Sequence, residues 1–137
     1  MAGSFSDYAE NKILDHALGK TSWTMPTTVA AALVTVTPTD AMTGATITEA
    51  TYTGYARKVI AATDLNAASS GSSTNANDIV FAACTGSSSA VVGVVILDSS
   101  TTGAGNSICW SDVTSTTVST TQTPATISAG NLTVTQA

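Results

Sequence analysis

Beyond Lys20 the chain of 137 residues is almost without charge: only Asp40, Glu49, Arg57, Lys58, Asp64, Asp78, Asp98 and Asp112 remain, while five charged side chains crowd into residues 7–20. In place of charge the chain carries 26 Thr, 17 Ser and 22 Ala. Thr is β-branched and suits a strand, and Ser and Thr cover a surface without charge. A fold built this way is expected to be mainly β. Its weakly charged surface is poorly protected against association, which points to a protein that ends in an assembly.

The N-terminal segment is the exception. Residues 5–18 (FSDYAENKILDHAL) place apolar side chains at positions 5, 8, 9, 13, 14, 17 and 18, one stripe on a helix of about 3.6 residues per turn. Ser6 is suited to cap the N-terminus, Asp7 and Glu10 lie at the positive end of the helix dipole, and Gly19 can close the helix in a left-handed turn. The spacing predicts a helix over about 6–18. Phe5, Tyr8, Ile13, Leu14 and Leu18 on this stripe, with Trp23 at the helix exit, are candidates for packing or interface, the helix serving as a lid over one end of the body or as an arm onto a neighbour.

From residue 23 the pattern becomes strand and turn. Strands are predicted at 29–37 (VAAALVTVT), weakly at 46–53, at 54–63, 78–84 (DIVFAAC), 90–97 (AVVGVVIL), 107–112 (SICWSD), about 116–121 and 132–135 (LTVT). Turn clusters separate them at 85–89, 98–106 and 128–131, and 64–77 reads as a loop too polar to pack. Short strands with polar turns predict an antiparallel β-sandwich, jelly-roll or immunoglobulin-like, over about 23–137, with the helix completing a single domain over 1–137. Phe81, Ile96 and Trp110, each inside an apolar run, are the predicted core.

Chemistry-bearing residues are sparse. The one histidine, His16, sits on the helix between Asp15 and Ala17, where a solvent-side role is expected. One His and two Cys fall short of the four ligands of a closed zinc site. Six acids from Asp40 to Asp112 are spread about ten residues or more apart, mostly at turns, where Asp bonds nearby backbone; no calcium-loop spacing occurs. Residues 103–106 (GAGN) lack the lysine and helix of a phosphate loop and read as a hairpin turn. Cys84 and Cys109 lie in apolar runs and are expected as buried free thiols. With four scattered cations and a net charge of −5, binding to nucleic acid or an anionic membrane is not expected. Asp7 and Glu10 stand where a signal peptide would carry Lys or Arg, so synthesis in the cytoplasm of the cell that makes the chain is expected. The sequence calls for no catalytic residue, cofactor, metal or small-molecule substrate.

Residues 6–18, SDYAENKILDHAL, resemble the "SDYLENKLLDHVL" opening of a family of small tailed-phage virion proteins variously labelled tail fibre, structural or head decoration protein. The likeness continues through Pro26-Thr-Thr, Pro38-Thr-Asp40, Gly54-Tyr-Ala-Arg57, Ile79-Val-Phe81, Ile96-Leu-Asp98 and Ile108-Cys-Trp110 to Ser128-Ala-Gly-Asn-Leu-Thr-Val-Thr135. The chain departs at 31–36, where members carry "YVGLST", and lacks a Trp before the strand at 90–97. The resemblance implies a virion component, and the missing catalytic groups count against an enzyme. The first expectation is a capsid cement or decoration protein on the head surface, bridging major capsid subunits and contacting copies of itself as a dimer or trimer. The alternative is a tail or tail-fibre-associated protein.

Overall fold

The computed structural model describes residues 4–136. Its framework is a five-stranded antiparallel sheet whose centre is made of the two longest apolar runs. β2 (Val29–Val34) pairs with β6 (Ser89–Leu97) in a register running from Ala30 opposite Leu97 to Val34 opposite Gly93. β7 (Ser107–Val118) lies on the far side of β6, and β1 (Ser4–Phe5) and β3 (Lys58–Ile60) form the edges, giving the order β1-β7-β6-β2-β3.

The apolar runs are continuous because this sheet is covered on both faces. Successive side chains of a strand point to opposite faces. Ala31, Leu33, Val94, Ile96 and Cys109 enter one core cluster, whereas Ala32, Val34, Val95 and Leu97 enter another, with Trp110 packed against it. A strand between two apolar layers has no position left for a polar side chain.

Two ribbons cover the first face instead of one full sheet: β4 (Ser72–Thr74) with β9 (Thr133–Thr135), and β5 (Ile79–Val80) with β8 (Thr126–Ile127). They contribute Ile79, with Phe81 and Leu132 alongside, to the larger core. The second face is covered by the segment after β2, which brings Met42 and Ile47 onto the smaller cluster. Pro38 is fully buried there, and a Cβ at Gly93 would lie 2.7 Å from its Cδ. The glycine in the middle of β6 is therefore what lets this second layer approach the sheet.

The protein is thus mainly β with one helix near its N-terminus, as the sequence predicts, and the sheet does not close into a barrel. Several strand boundaries differ. Residues 46–53 form no strand beyond an isolated bridge from Glu49 to Val34. Ile47 joins the smaller cluster while Ala50 and Tyr52 join the larger one, so this segment passes from one face of the sheet to the other and cannot be one regular strand. Of 54–63 only β3 pairs, after a turn in which the Tyr55 N–H donates to the Tyr52 carbonyl at 3.0 Å. The runs at 107–112 and 116–121 are one strand. Between its pairs with Gly93 and Val91, β7 inserts residues 113–115 opposite Val92 alone, and this bulge breaks the alternation that a continuous strand would show.

The largest correction concerns 64–77. Residues 66–71 are exposed as expected, but the rest of the segment packs in part: it contains β4, and Asn75 is almost completely buried. Its side-chain amide donates to the carbonyls of Asn77 at 2.9 Å, Ser128 at 3.0 Å and Ile127 at 3.3 Å, and its Oδ1 accepts the Leu132 N–H at 2.9 Å. A polar segment can sit against a core when one side chain satisfies the backbone it covers.

Candidate functional site

The helix α1 (Asp7–Ala17) is anchored at one end. Ser6 caps it, its hydroxyl accepting the Ala9 N–H at 3.3 Å and donating to the Ser107 carbonyl at the start of β7. The Ser6 N–H donates to the Ile108 carbonyl at 3.0 Å, and the Asp7 N–H to the Asp40 carbonyl at 3.0 Å. Ala9, with no side chain beyond Cβ, lets the first turn lie directly on β7 and is the buried residue of the helix.

The body does not use the whole apolar stripe. Phe5, Tyr8, Ile13 and Trp23 are half-buried. Leu14 is 57% exposed and Leu18 80% exposed, and Met25 beyond the helix is 84% exposed. Each step along a helix turns about 100°, so a helix seated on Ala9 and Ile13 turns Leu14 and Leu18 away from the sheet. The opposite flank is closed by aromatic packing. Tyr8 meets Trp23 edge-on with ring centroids 6.5 Å apart, Lys12 Nζ lies 5.7 Å from the Tyr8 ring centre, and the Trp23 N–H donates to His16 Nδ1 at 3.1 Å. His16 is thus exposed, as expected, and one of its ring nitrogens holds the chain after the helix.

A groove of about 350 Å³ runs between the helix and the C-terminal strand, lined by Phe5, Glu10, Ile13 and Leu14 together with Thr135 and Gln136. Another of about 390 Å³ lies on the other side, among Ile13, His16, Ala17, Trp23, Met25 and Pro26. The exposed leucines and these grooves form one apolar surface without a partner among the described residues.

Of the predicted core residues, Phe81 and Ile96 are buried in the larger cluster. Trp110 is half-buried at the edge of the smaller one and donates its indole N–H to Asp40 Oδ1 at 2.9 Å.

The titratable groups are engaged in holding backbone. Asp64 accepts the Ala61 N–H at 3.0 Å, Asp78 the Ala129 N–H at 2.8 Å and Asp98 the Asn106 N–H at 2.6 Å. Nothing local to either residue points to a pairing of Glu49 with Arg57, yet they form a buried ion pair 2.7 Å long. Arg57 also donates to the carbonyls of Ser99, Ala104 and Gly44 at 2.9, 2.8 and 3.4 Å, so all its N–H groups are used. The Tyr55 hydroxyl donates to Glu49 Oε2 at 2.8 Å. Burial alone would push the Glu49 carboxyl up, but the bonds from Arg57 and Tyr55 outweigh it and hold the group below its ordinary range. Burial and the adjacent Glu49 carboxylate push the Tyr55 phenol up. Both cysteines are buried free thiols, and burial pushes Cys109 up to about 12. Among the described residues no three His, Cys, Asp or Glu side chains are placed to hold a metal ion, and no helix is long and apolar enough to cross a membrane.

Set beside known families, residues 4–135 match the one described as "Podophage GP4 fiber I protein gp80". The chain belongs to that family. It is accordingly a bacteriophage structural protein, a coarser conclusion than the capsid cement role expected from its sequence and one in which the fibre alternative fits the family better. No curated protein matches the chain.

Proposed function

We propose that the protein is a structural component of the phage fibre or tail apparatus, not a cement of the head shell, and that it acts by binding neighbouring virion proteins and copies of itself rather than by catalysis. The observation that carries this reading is the family match, which spans nearly the whole chain and whose description names a fibre protein. The molecule's surface supports it. Ser and Thr are the commonest exposed side chains, and of the large apolar side chains left exposed among the described residues, Leu14, Leu18 and Met25 lie on or just beyond the helix while Val36, Val59 and Val80 stand elsewhere; Met25 and Leu18 are the most exposed. Exposed apolar groups gathered in one place mark an interaction surface.

A non-enzymatic role is supported by what the reactive groups already do. The carboxylates of Asp64, Asp78 and Asp98 cap backbone N–H groups, Glu49 is neutralised by Arg57, and the Cys109 thiol is buried. With a net charge of −5 and no clustered cations, nucleic acid and anionic membranes fall outside the proposed partners.

The test is the protein's amount and position in purified particles. Quantitative mass spectrometry is expected to find it at a small multiple of the tail symmetry, and labelled antibody is expected to mark the tail region. A copy number comparable to that of the major capsid protein, with label over the head, would overturn the fibre assignment in favour of cement.

A further inference from the structure

The exposed face of α1 is patterned along its length. Glu10, Leu14 and Leu18 follow one another at four-residue spacing and so share a face. Asp7 and Glu10 lie in the first turn, His16 in the last, and Lys20 follows just beyond. Among the described residues the one ion pair joins Arg57 to Glu49, so Glu10 and Lys20 have no charged partner within the fold. The outward surface therefore runs from an acid in the first turn through two leucines to a base, Lys20, which lies just past the left-handed Gly19 that closes the helix.

Such a stripe is its own complement when turned end for end. In an antiparallel pair the leucines of the two helices interleave, each Glu10 lies toward the other copy's Lys20, and the helix dipoles oppose favourably. A parallel pair would set like charges together. A two-fold axis needs only one such patch on each copy. We propose that α1 is a self-association surface, on which a second copy of this chain docks its own α1 antiparallel, with Leu14 and Leu18 at the centre and Glu10–Lys20 ion pairs at both ends. The grooves beside Ile13 give the partner's leucine and methionine side chains room to seat. This inference concerns copies of the chain and holds whether they sit in a fibre or elsewhere in the particle.

A helix of 11 residues offers less contact than the roughly 800 Å² per partner of a standard interface. The pair is therefore weak in dilute solution and gains strength where a particle holds many copies together.

The experiment is sedimentation equilibrium of the full chain up to about 1 mM at low salt, where weak ion pairs are least screened. The wild type is expected to form dimers. L14D and L18D are expected to abolish them while keeping the wild-type melting temperature, since both side chains are already in solvent. E10K and K20E are each expected to weaken dimerisation about tenfold, the combined cost of losing two surface ion pairs and creating repulsion. The double variant E10K/K20E is expected to recover to within about twofold, because it restores complementarity with the signs exchanged. A wild type that stays monomeric, or a double variant no better than either single one, overturns the proposal. Monomeric protein whose L14D variant fails to enter particles would assign this face to another virion protein instead.

Discussion

Arg57 Nη2 sits 2.7 Å from Glu49 Oε1 with the Arg57 side chain wholly buried, and through that pair three separate loops share one centre. Arg57 reaches the carbonyls of Gly44, Ser99 and Ala104, while Glu49 accepts from Tyr55 and, at 3.4 Å, from the Gly103 N–H. The turn between β6 and β7 is thereby tied to the segment that covers the second face of the sheet. Gly44 belongs to the same joint: a Cβ there would fall 1.9 Å from the Ala104 carbonyl oxygen.

Breaking this pair from one side leaves a buried charge without a partner. Arg57→Met is expected to cost about 3–5 kcal/mol, measured by urea denaturation. Arg57→Lys is expected to restore little, because an ammonium lacks the planar fork that serves Glu49 and three carbonyls together. The double change Arg57→Met with Glu49→Leu is expected to be more stable than Arg57→Met alone, since it removes the stranded carboxylate.

Two of the ionisable groups shifted by burial, Glu49 and Cys109, predict opposite limbs of a stability–pH curve. Glu49 is held below its ordinary value of 4.5, so the unfolded chain binds the proton more readily. Its contribution is present above the unfolded value and is lost as pH falls through the folded one. Cys109 is raised from 9.0 to about 12. There the folded state holds its proton longer, and stability falls as pH rises from about 9 toward 12. Melting temperatures across pH are expected to show both slopes. Glu49→Gln should flatten the acid limb and Cys109→Ala should reduce the alkaline one, to which the raised Tyr55 phenol also contributes; an unchanged slope in either variant assigns that limb to other groups.

Asn75 is the polar counterpart of the ion pair on the other side of the molecule. Asn75→Ala strands the Leu132 N–H and three carbonyls at once, and is expected to cost about 3 kcal/mol. Hydrogen exchange is expected to accelerate in β4 and β9, whose pairing it supports, more than in β6. Asn75→Asp is expected to be at least as harmful near neutral pH, since a carboxylate cannot donate to the carbonyls that the amide now serves.

These residues mark where the sequence is legible and where it is not. The helix is readable because cap, stripe and closing glycine are local signals: Ser6, Ala9 and Gly19 all lie in or directly beside the helix itself. β6 was readable because nine consecutive strand residues contain no polar break between Ala90 and Leu97. Asn75 was not, because its partners at 127–132 lie more than fifty residues away and nothing in a Ser/Ala/Asn/Gly stretch distinguishes one buried amide. Glu49 and Arg57 are eight residues apart, which along a helix or a strand would hold them about 12 or about 26 Å apart; only the turn at Gly54 and Tyr55 brings them together. The Gly54-Tyr-Ala-Arg57 likeness touched this joint without giving it a physical role. The exposed half of the helix stripe was hidden for a different reason. Periodicity reveals an apolar face, but not how much of that face the rest of the chain will cover.

The cap of the helix offers a way to separate the two halves of that stripe. Ser6 is fully buried and serves both the Ala9 N–H and the Ser107 carbonyl. Ser6→Ala removes a cap and leaves a buried donor and acceptor unpaired, an expected loss of about 1–2 kcal/mol. Because β1 and the first turn of α1 share this anchor, the loss is expected to fall on the helix before the sheet. Hydrogen exchange over residues 9–17 should quicken while the paired centre of β2 and β6 keeps its protection, and the circular dichroism of the helix should melt ahead of the cooperative transition. Uniform loosening of the whole molecule would mean instead that the helix is an integral part of the β core, and that its exposed leucines are displayed by the full fold rather than by an element docked on its edge.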